Sequence, residues 1–252
     1  RAYLEGIGVS DPTYSEARII ELGIGIKRIF YAPDEIIKIT AADKTIIYGA
    51  NKPSSFAVTW SKNIPNTYYT GTLSTACAYT KGNNAGTYPI TPSGLTATDK
   101  YAIVFVAGTL TVTKKALTLT MTDAEMVYGA STPSFAFTGE GYIAGEDATA
   151  LGGSAVYTVK DSLGETVTDL STAASGEYEV HLSGVTAANY ELTMVAGTLT
   201  VSKAALTLTV ANAQMVEGGA APAFSFTGTG FVNDEDATAL GGSAVYTVKD
   251  SL

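Results

Sequence analysis

The 252-residue chain is 46% apolar, carries a formal net charge of -9 and contains one cysteine, Cys77. An acidic chain without a Lys/Arg cluster argues against nucleic acid and against an anionic membrane surface as partners. A single cysteine forms neither an internal disulfide nor a multi-cysteine zinc site, and no apolar run is long enough for membrane insertion.

Residues 1–34 are predicted to form two strands joined by a turn at Asp11-Pro12. From Ile20 to Lys27, apolar residues alternate with glutamate, glycine and lysine, which is the period of a half-buried strand. We expect this segment to be the closing hairpin of a preceding β-domain. The chain starts without Met or a signal sequence, so we also expect it to be a piece of a longer protein.

Internal repeats organise the rest of the chain. The run EDATALGGSAVYTVKDSL at 146–163 recurs without change at 235–252. The run VAGTLTV occurs at 106–112 and again at 195–201. Identity over such lengths indicates duplicated structural units.

A more diverged copy precedes the two similar ones. IIKITAADKTIIYGANKPSSF, from Ile36, parallels ALTLTMTDAEMVYGASTPSF, from Ala116, and AGTYPI, from Ala85, parallels SGEYEV, from Ser175. We therefore predict three repeats, in which repeat 3 ends before its GxY strand and its AGTLTV strand and is partial. Their bounds are 35–114 for repeat 1, 115–203 for repeat 2 and 204–252 for repeat 3.

Strand periodicity dominates each repeat. Leu117, Leu119 and Met121 alternate with threonines, so one face of this strand is predicted to be buried and the other wet. Acidic residues lead short runs of helix formers at 145–151 and 234–240, which predicts at most one short helix per domain. This order fits a β-grasp-like sheet or an Ig-like β-sandwich, and the pattern does not separate the two.

The junctions between repeats contain no Gly, Pro or Ser-rich spacer. They read LTVTKKALTLT at 110–120 and LTVSKAALTLT at 199–209. The inward-facing parity changes between Val112 and Leu117, so the chain twists or kinks as it leaves one domain for the next. We expect the domains to be arranged end to end in a semi-rigid rod.

The joint pattern of YGAxxPSF, GxY and NYELTMVAGTLTV followed by Lys resembles the MBG domain, YGX type, of large bacterial surface and adhesin-like proteins. Repeat 3 departs from it with Glu217 in place of the motif tyrosine, and repeat 1 carries NTYYTGTLSTACAYT instead of the DATAL segment. The resemblance implies extracellular location, a β-grasp-like module and a spacer or adhesive role. The residues that carry it are Tyr48-Gly49, Pro53, Gly86, Tyr88 and Gly108-Thr109-Leu110 in repeat 1, and Tyr128-Gly129, Pro133, Gly176, Tyr178, Asn189-Tyr190 and Gly197-Thr198-Leu199 in repeat 2.

Nucleophilic catalysis finds little support in the sequence. His181 lies on the wet face of its predicted strand, and a general base must be within hydrogen-bond reach of its partner. Cys77 aligns with an alanine and is interpreted as a small strand residue, since a reactive thiol needs an electropositive setting. Lys114, Lys203 and Asn189 raise the alternative of an intramolecular isopeptide bond. We predict no enzymatic activity and no cofactor.

The strongest acidic clusters are Asp234-Glu235-Asp236 and Glu146-Asp147. Calcium takes six to eight oxygen ligands, and adjacent carboxylates could supply some of them. No spaced D-x-D-x-D-G pattern is present, so the favoured interpretation is a helix N-cap with calcium as the alternative.

Three aromatic residues cluster in the divergent loop region of repeat 1. Trp60, Tyr68 and Tyr69 could stack on a sugar ring, whereas core packing or an exposed tyrosine pair is the simpler interpretation.

Two functions follow as hypotheses. The first is a structural stalk of repeated extracellular domains in a bacterial surface adhesin or filament protein, whose partners are the neighbouring domains of the same longer chain. The second is a glycan- or protein-binding module that acts through loops at a domain end and binds a host or matrix component. Copies of the chain could also assemble into a fibre by completing exposed sheet edges.

Overall fold

The computed structural model describes residues 2–3, 6–7, 18–22, 26–30, 35–98 and 101–249, the first four ranges by their backbone alone. Within these ranges the chain is mainly β, divided among several sheets, with short 3-10 turns and no α-helix. It divides into two compact units, Arg1–Lys115 with Ala188–Glu191, and Ala116–Ala187 with Leu192–Leu252.

The N-terminal segment contains two short antiparallel pairs. They are formed by β1 (Ala2–Tyr3) with β2 (Gly6–Ile7), and by β3 (Arg18–Leu22) with β4 (Ile26–Phe30). The prediction of one strand through Ile20 and Ile26 is wrong, because Leu22 pairs with Ile26 and the chain reverses between them. The predicted turn at Asp11-Pro12 lies outside the described residues.

Unit 1 contains the strands of repeat 1 in two sheets. The strands are β5 (Glu35–Ala41), β6 (Lys44–Ile47), β7 (Val58–Trp60), β8 (Tyr69–Cys77), β9 (Gly86–Ala97), β10 (Tyr101–Val106) and β11 (Gly108–Thr113). One sheet has the order β10-β5-β7 and the other the order β6-β11-β9-β8. The β5/β10 and β6/β11 pairs are parallel, and the other pairs are antiparallel.

Unit 2 contains repeat 3 and most of repeat 2, without Lys115 and Ala188–Glu191, and repeat 2 has the same strand order as repeat 1. The strands of repeat 2 are β12 (Lys115–Met121), β13 (Ala124–Val127), β14 (Phe137–Glu140), β15 (Gly152–Lys160), β16 (Gly176–Thr186), β17 (Tyr190–Val195) and β18 (Gly197–Ser202). Its sheets are β14-β12-β17 and β13-β18-β16-β15. In repeat 3, β19 (Thr207–Val210) pairs antiparallel with β20 (Phe226–Thr229).

The core of each complete repeat comes from the alternating apolar residues that the sequence indicated. Leu117, Leu119 and Met121 on β12 are buried, while the threonines between them are more exposed. Fully buried side chains are contributed by both sheets of each repeat, which closes the core between them. They include Ile37, Ile39, Ile90 and Leu110 in repeat 1, and Leu119, Val180 and Leu199 in repeat 2.

The predicted short helices are single 3-10 turns. They span Ala148–Ala150 in repeat 2 and Ala237–Ala239 in repeat 3, and two others span Asn66–Tyr68 and Leu170–Thr172. Asp147 and Asp236 cap the first two, because each carboxylate accepts a hydrogen bond from the backbone N–H two residues later. The capping interpretation of these aspartates therefore matches the geometry of both turns.

Candidate functional site

The Tyr128-Gly129 turn at one end of repeat 2 is the most elaborate site in unit 2. Strand β13 ends at Val127, and the Tyr128 N–H donates to the Ser202 carbonyl, which continues the β13/β18 pairing by one residue. Gly129 has φ of 81°, a left-handed conformation that favours glycine. Its N–H donates to the Ser171 carbonyl at 3.1 Å. The motif glycine therefore shapes the turn that presents the tyrosine.

A loop of repeat 3 docks on this turn. The Tyr128 hydroxyl donates to Glu235 Oε1 at 2.6 Å, and Asn233 Nδ2 donates to the Ser171 carbonyl at 2.9 Å. A Cβ at Gly129 would lie 2.5 Å from Val232 Cβ, so only glycine allows this approach. A charge-assisted hydrogen bond, an amide contact and close packing together fix the loop of repeat 3 on the end of repeat 2.

A cleft of about 390 Å³ lies beside this contact, between repeat 2 and the start of repeat 3. This volume is within the range of ligand-binding pockets, and both apolar and polar side chains line the cleft. Apolar side chains include Ala204, Leu206, Phe231, Val232 and Leu240, and polar ones include Tyr128, Thr172, Ser175, Lys203 and Glu235.

The corresponding end of repeat 1, in unit 1, is filled. Tyr190 is 2% exposed and its ring meets Tyr48 edge to face, with 5.5 Å between the ring centroids. Asn189 Oδ1 accepts from the Ala85 N–H at 2.9 Å, and Asn189 Nδ2 donates to Asn84 Oδ1 at 3.1 Å. Tyr48 is itself 3% exposed. These contacts agree with the placement of Ala188–Glu191 in unit 1.

The acidic candidates divide by role. Asp147 and Asp236 each accept from a threonine hydroxyl at 2.7 Å and a backbone N–H at 2.8 Å, and these hydrogen bonds lower the pKa of each carboxyl. Glu235 is bonded to Tyr128, Asp234 lies in a left-handed conformation with φ of 58°, and Glu146 is half-buried. Within 35–98 and 101–249, no three His, Cys, Asp or Glu side chains are grouped as a metal site requires. Calcium binding stays a prediction.

The aromatic candidates pair with other rings. Trp60 lies 5.5 Å from Tyr69, and Tyr68 lies 5.2 Å from Tyr101, measured between ring centroids. All four residues are half-buried. Trp60 is on β7 and pairs in register with the fully buried Ile39. The ring surfaces that meet within each pair are covered, whereas each of the four residues keeps a part that is exposed to solvent.

The remaining candidates have structural settings. His181 Nε2 lies 3.0 Å from Glu179 Oε2 on a strand surface, with 40% of the histidine side chain exposed. Cys77 is buried, and its carbonyl accepts from Lys52 Nζ at 2.6 Å. Asn189, considered for an isopeptide bond, uses its side-chain amide in the contacts with Asn84 and Ala85.

The Tyr-Gly turn lies in a stretch of sequence that matches a known family. The MBG domain (YGX type) family matches residues 37–111, 117–200 and 206–251. The chain belongs to the MBG domain family. The tyrosine and glycine of the motif name are Tyr48-Gly49 in repeat 1 and Tyr128-Gly129 in repeat 2. This MBG chain therefore carries the signature residues at the repeat ends described above.

Other comparisons add little to the family assignment. No curated protein matches this MBG chain. A solved structure of Yersinia pseudotuberculosis InvD is similar at 12% identity and a TM-score of 0.23, over 71% of this chain and 63% of the InvD chain. So slight a likeness bears on neither fold nor function. Among the described residues, no helix has the length and apolar character of a membrane span.

Sequence reasoning missed the cleft and the docking role of Tyr128, which it identified only as a residue of the family motif. The signal was present in the shared YGA motif at 48–50 and 128–130, together with the acidic pair that begins the identical runs. The sequence does not show that the two motifs contact each other. Tyr128 and Glu235 are far apart in sequence and meet only in the folded chain.

Proposed function

We propose that this MBG chain is a structural spacer, the stalk of a bacterial surface adhesin or filament protein on the outside of the cell. The observation that carries the proposal is the docking of the Val232–Glu235 loop of repeat 3 on the Tyr128-Gly129 turn of repeat 2. A spacer keeps its two ends a fixed distance apart only when adjacent domains are held in a preferred orientation. The direct connection through Lys203 and Ala204, without a flexible linker, supports the same role.

The family supports the proposed location, since the resemblance implies surface proteins built from tandem copies. Nearest-neighbour contacts of one kind make such arrays tolerant of changes in repeat number. The partners proposed for the described domains are the neighbouring domains of the same chain. We propose neither an enzymatic role nor a resident cofactor.

For the fold class we propose the β-grasp-like module over the Ig-like sandwich. Each sheet of repeat 1 contains a parallel pair, β5 with β10 and β6 with β11. Ig-like sandwiches are built from antiparallel sheets, so this mixed pairing supports the β-grasp-like alternative. The domain bounds 1–34, 35–114, 115–203 and 204–252 remain part of the same proposal.

Pulsed electron paramagnetic resonance tests the spacer role at the junction. Spin labels at Glu165→Cys in repeat 2 and Glu217→Cys in repeat 3, both exposed positions, are placed in a Cys77→Ala background. We expect one narrow distance distribution, and we expect Gly129→Val to broaden it by displacing Val232. Gly145→Val is the matched control, because Gly145 also has positive φ but a Cβ there would meet nothing within 4 Å. A broad distribution in the unaltered junction would overturn the spacer proposal.

The second candidate function is binding of a glycan or protein by the aromatic residues of repeat 1. The observation that favours it is the exposed part of the Trp60, Tyr69, Tyr68 and Tyr101 pairs, since half-buried rings offer apolar surface to a ligand. A glycan array probed with the whole chain should show binding that Trp60→Ala abolishes. Tyr157→Ala is the matched control, because Tyr157 pairs with Phe135 in repeat 2 at 5.8 Å. Loss of binding in both variants, or no binding at all, would exclude this role for Trp60.

A further inference from the structure

The strands at the two ends of repeat 1 lie side by side and run in the same direction. Residues 35–47, the entry arm, contain β5 and β6, and residues 101–113, the exit arm, contain β10 and β11. Six positions of β5 pair with β10 and four positions of β6 pair with β11, all of them parallel. Partners in both strand pairs are 66 residues apart, so the two arms keep one register as they pass through both sheets.

A side chain joins the two arms at the bend where they leave one sheet for the other. The last β5/β10 pair includes Val106, and the first β6/β11 pair includes Leu110, so the backbone pairing is interrupted between them. Within this interruption, Asp43 Oδ1 accepts from the Thr109 N–H at 2.7 Å, again across 66 residues. A carboxylate that accepts from a backbone N–H makes a charge-assisted hydrogen bond. Asp43 therefore continues the pairing of the arms across the bend.

Repeat 2 has the same bend with the same kind of contact. Asp123 Oδ1 accepts from the Thr198 N–H at 2.8 Å, and β13 pairs in parallel with β18 at four positions. A Cβ at Gly108 would lie 2.4 Å from the nearest atom of β5, and one at Gly197 would lie 2.9 Å from the nearest atom of β12. Glycine thus allows the close approach of the two arms at the bend in both repeats.

Both arms are also anchored in the core. Ile37 and Ile39 on the entry arm are fully buried, as is Leu110 on the exit arm, and Val112 is 2% exposed. A slip of one residue along a strand moves its buried side chains to the opposite face of the sheet. Movement of one arm along the other therefore breaks hydrogen bonds and apolar contacts at the same time.

The direction of the arms decides how tension along the chain acts on a repeat. The chain enters repeat 1 at residue 35 and leaves it at residue 113, which are at opposite ends of two parallel arms. Tension therefore pulls the arms along each other, in shear, and the evenly spaced hydrogen bonds of the parallel pairs are loaded together. Antiparallel arms would place entry and exit at the same end, where the bonds would open one after another.

From this arrangement we propose that each complete repeat is a force-bearing element, in which the entry and exit arms form a shear clamp and Asp43 or Asp123 latches it at the bend. This role goes beyond the proposed spacer function, because a spacer needs a fixed length, whereas the clamp keeps a repeat folded while its ends are pulled apart. The clamp belongs to a single repeat, and the spacer role depends on contacts between repeats, so the two proposals can fail separately.

Optical tweezers test the clamp by pulling repeat 1 in two directions within the whole chain. DNA handles are attached at Glu35→Cys and Thr113→Cys for shear, or at Asn51→Cys and Thr113→Cys for peeling, in a Cys77→Ala background. Asn51 follows β6, so the second pair of handles separates neighbouring ends of β6 and β11. We expect the unfolding force in shear to be at least about twice that in peeling, because the paired positions share the load. Equal forces would overturn the proposal.

Asp43→Ala tests the latch in both pulling directions. We expect unfolding in shear to become about fivefold faster, as for the loss of one net hydrogen bond. Peeling should be unchanged, because it opens β6 and β11 before it reaches the bend. Asp43→Asn is the matched control and should keep the original rate, since its amide oxygen still accepts from the Thr109 N–H. An equal effect of Asp43→Ala in both directions, or none in shear, would overturn the latch.

Discussion

Repeats 2 and 3 contain the same eighteen-letter run, EDATALGGSAVYTVKDSL, in two different conformations. At Gly152–Lys160 the run forms β15, paired with β16, whereas 241–249 contains no strand. Val159 is 5% exposed in the first copy, and its counterpart Val248 is 75% exposed in the second. The two runs have the same sequence, so the difference in their conformation comes from the strands that surround each run.

The contrast separates local from tertiary causes of structure. The 3-10 turn at the start of the run is the same in both copies, with matching hydrogen bonds from Thr149 to Asp147 and from Thr238 to Asp236. That turn needs only residues two apart, so it forms wherever the sequence occurs. The strand needs a partner that supplies cross-strand hydrogen bonds and apolar cover.

Replacement of the second glycine of the run should give the largest difference in stability between the two copies. Gly153 and Gly242 have φ of 79° and 87°, so an alanine is unfavourable at both. At Gly153 a Cβ would also overlap the Gly184 carbonyl oxygen on β16, whereas at Gly242 it would meet nothing within 4 Å. We expect Gly153→Ala to lower the free energy of unfolding of repeat 2 by about 2–5 kcal/mol, from left-handed strain plus overpacking.

Gly242→Ala is the internal control, because the segment around it belongs to no strand. We expect it to change stability by under about 1 kcal/mol. Hydrogen exchange of the β15 and β16 amides measures the first variant, and urea unfolding of the whole chain compares both. Equal destabilisation by the two alanines would mean that the strand partner is not the cause of the contrast.

Removal of methyl groups from the matched valines should have a smaller effect of the same kind. Val159→Ala removes buried apolar surface and should cost about 2 kcal/mol, while Val248→Ala should stay within about 0.5 kcal/mol. Differential scanning calorimetry of the two variants measures the comparison. A loss of stability at Val248 as large as at Val159 would contradict the exposure that distinguishes the copies.

The two capping aspartates should change their pKa by the same amount when their threonine partners are removed. This is the smallest of the expected effects, and it tests whether the turn depends on nearby residues alone. The hydroxyl and backbone hydrogen bonds of Thr149 and Thr238 lower the pKa of Asp147 and Asp236. The folded-state pKa lies below the unfolded value, so each cap stabilises its turn above the ordinary aspartate pKa and is lost as pH falls through the lowered value.

Thr149→Ala and Thr238→Ala should each raise the pKa of the neighbouring aspartate toward its ordinary value. Carboxyl ¹³C NMR titration measures both groups in one experiment. A shift in repeat 2 without a similar shift in repeat 3 would show that the cap depends on its tertiary surroundings.

Sequence reasoning predicted the features that depend on nearby residues. The repeats, the alternation of Leu117 and Leu119 with threonines and the cap at Asp147 are all present in the structure. Two features could not be predicted because they depend on distant groups. Identical letters could not reveal that 241–249 lacks the strand formed by Gly152–Lys160. Likewise, the approach of Tyr128 to Glu235 required the fold of repeats 2 and 3 together.

The pairing of Leu22 with Ile26 shows why the prediction of one strand through this segment was wrong. Alternation through Ile20 and Ile26 satisfies the period of one strand and equally that of two strands joined by a tight turn. The glycines between Leu22 and Ile26 were the better signal, because glycine weakens a strand interior and favours a turn.

Small-angle X-ray scattering on chains of different repeat number tests the proposed spacer role most directly. A second copy of residues 115–203 is inserted after Lys203, so that the new repeat meets its neighbours through the native connections. If the repeats form a spacer, the maximum dimension should grow by about 35–45 Å, the length of a domain with strands of about ten residues. An unchanged maximum dimension, with the added repeat folded, would contradict the role of these MBG repeats as a stalk.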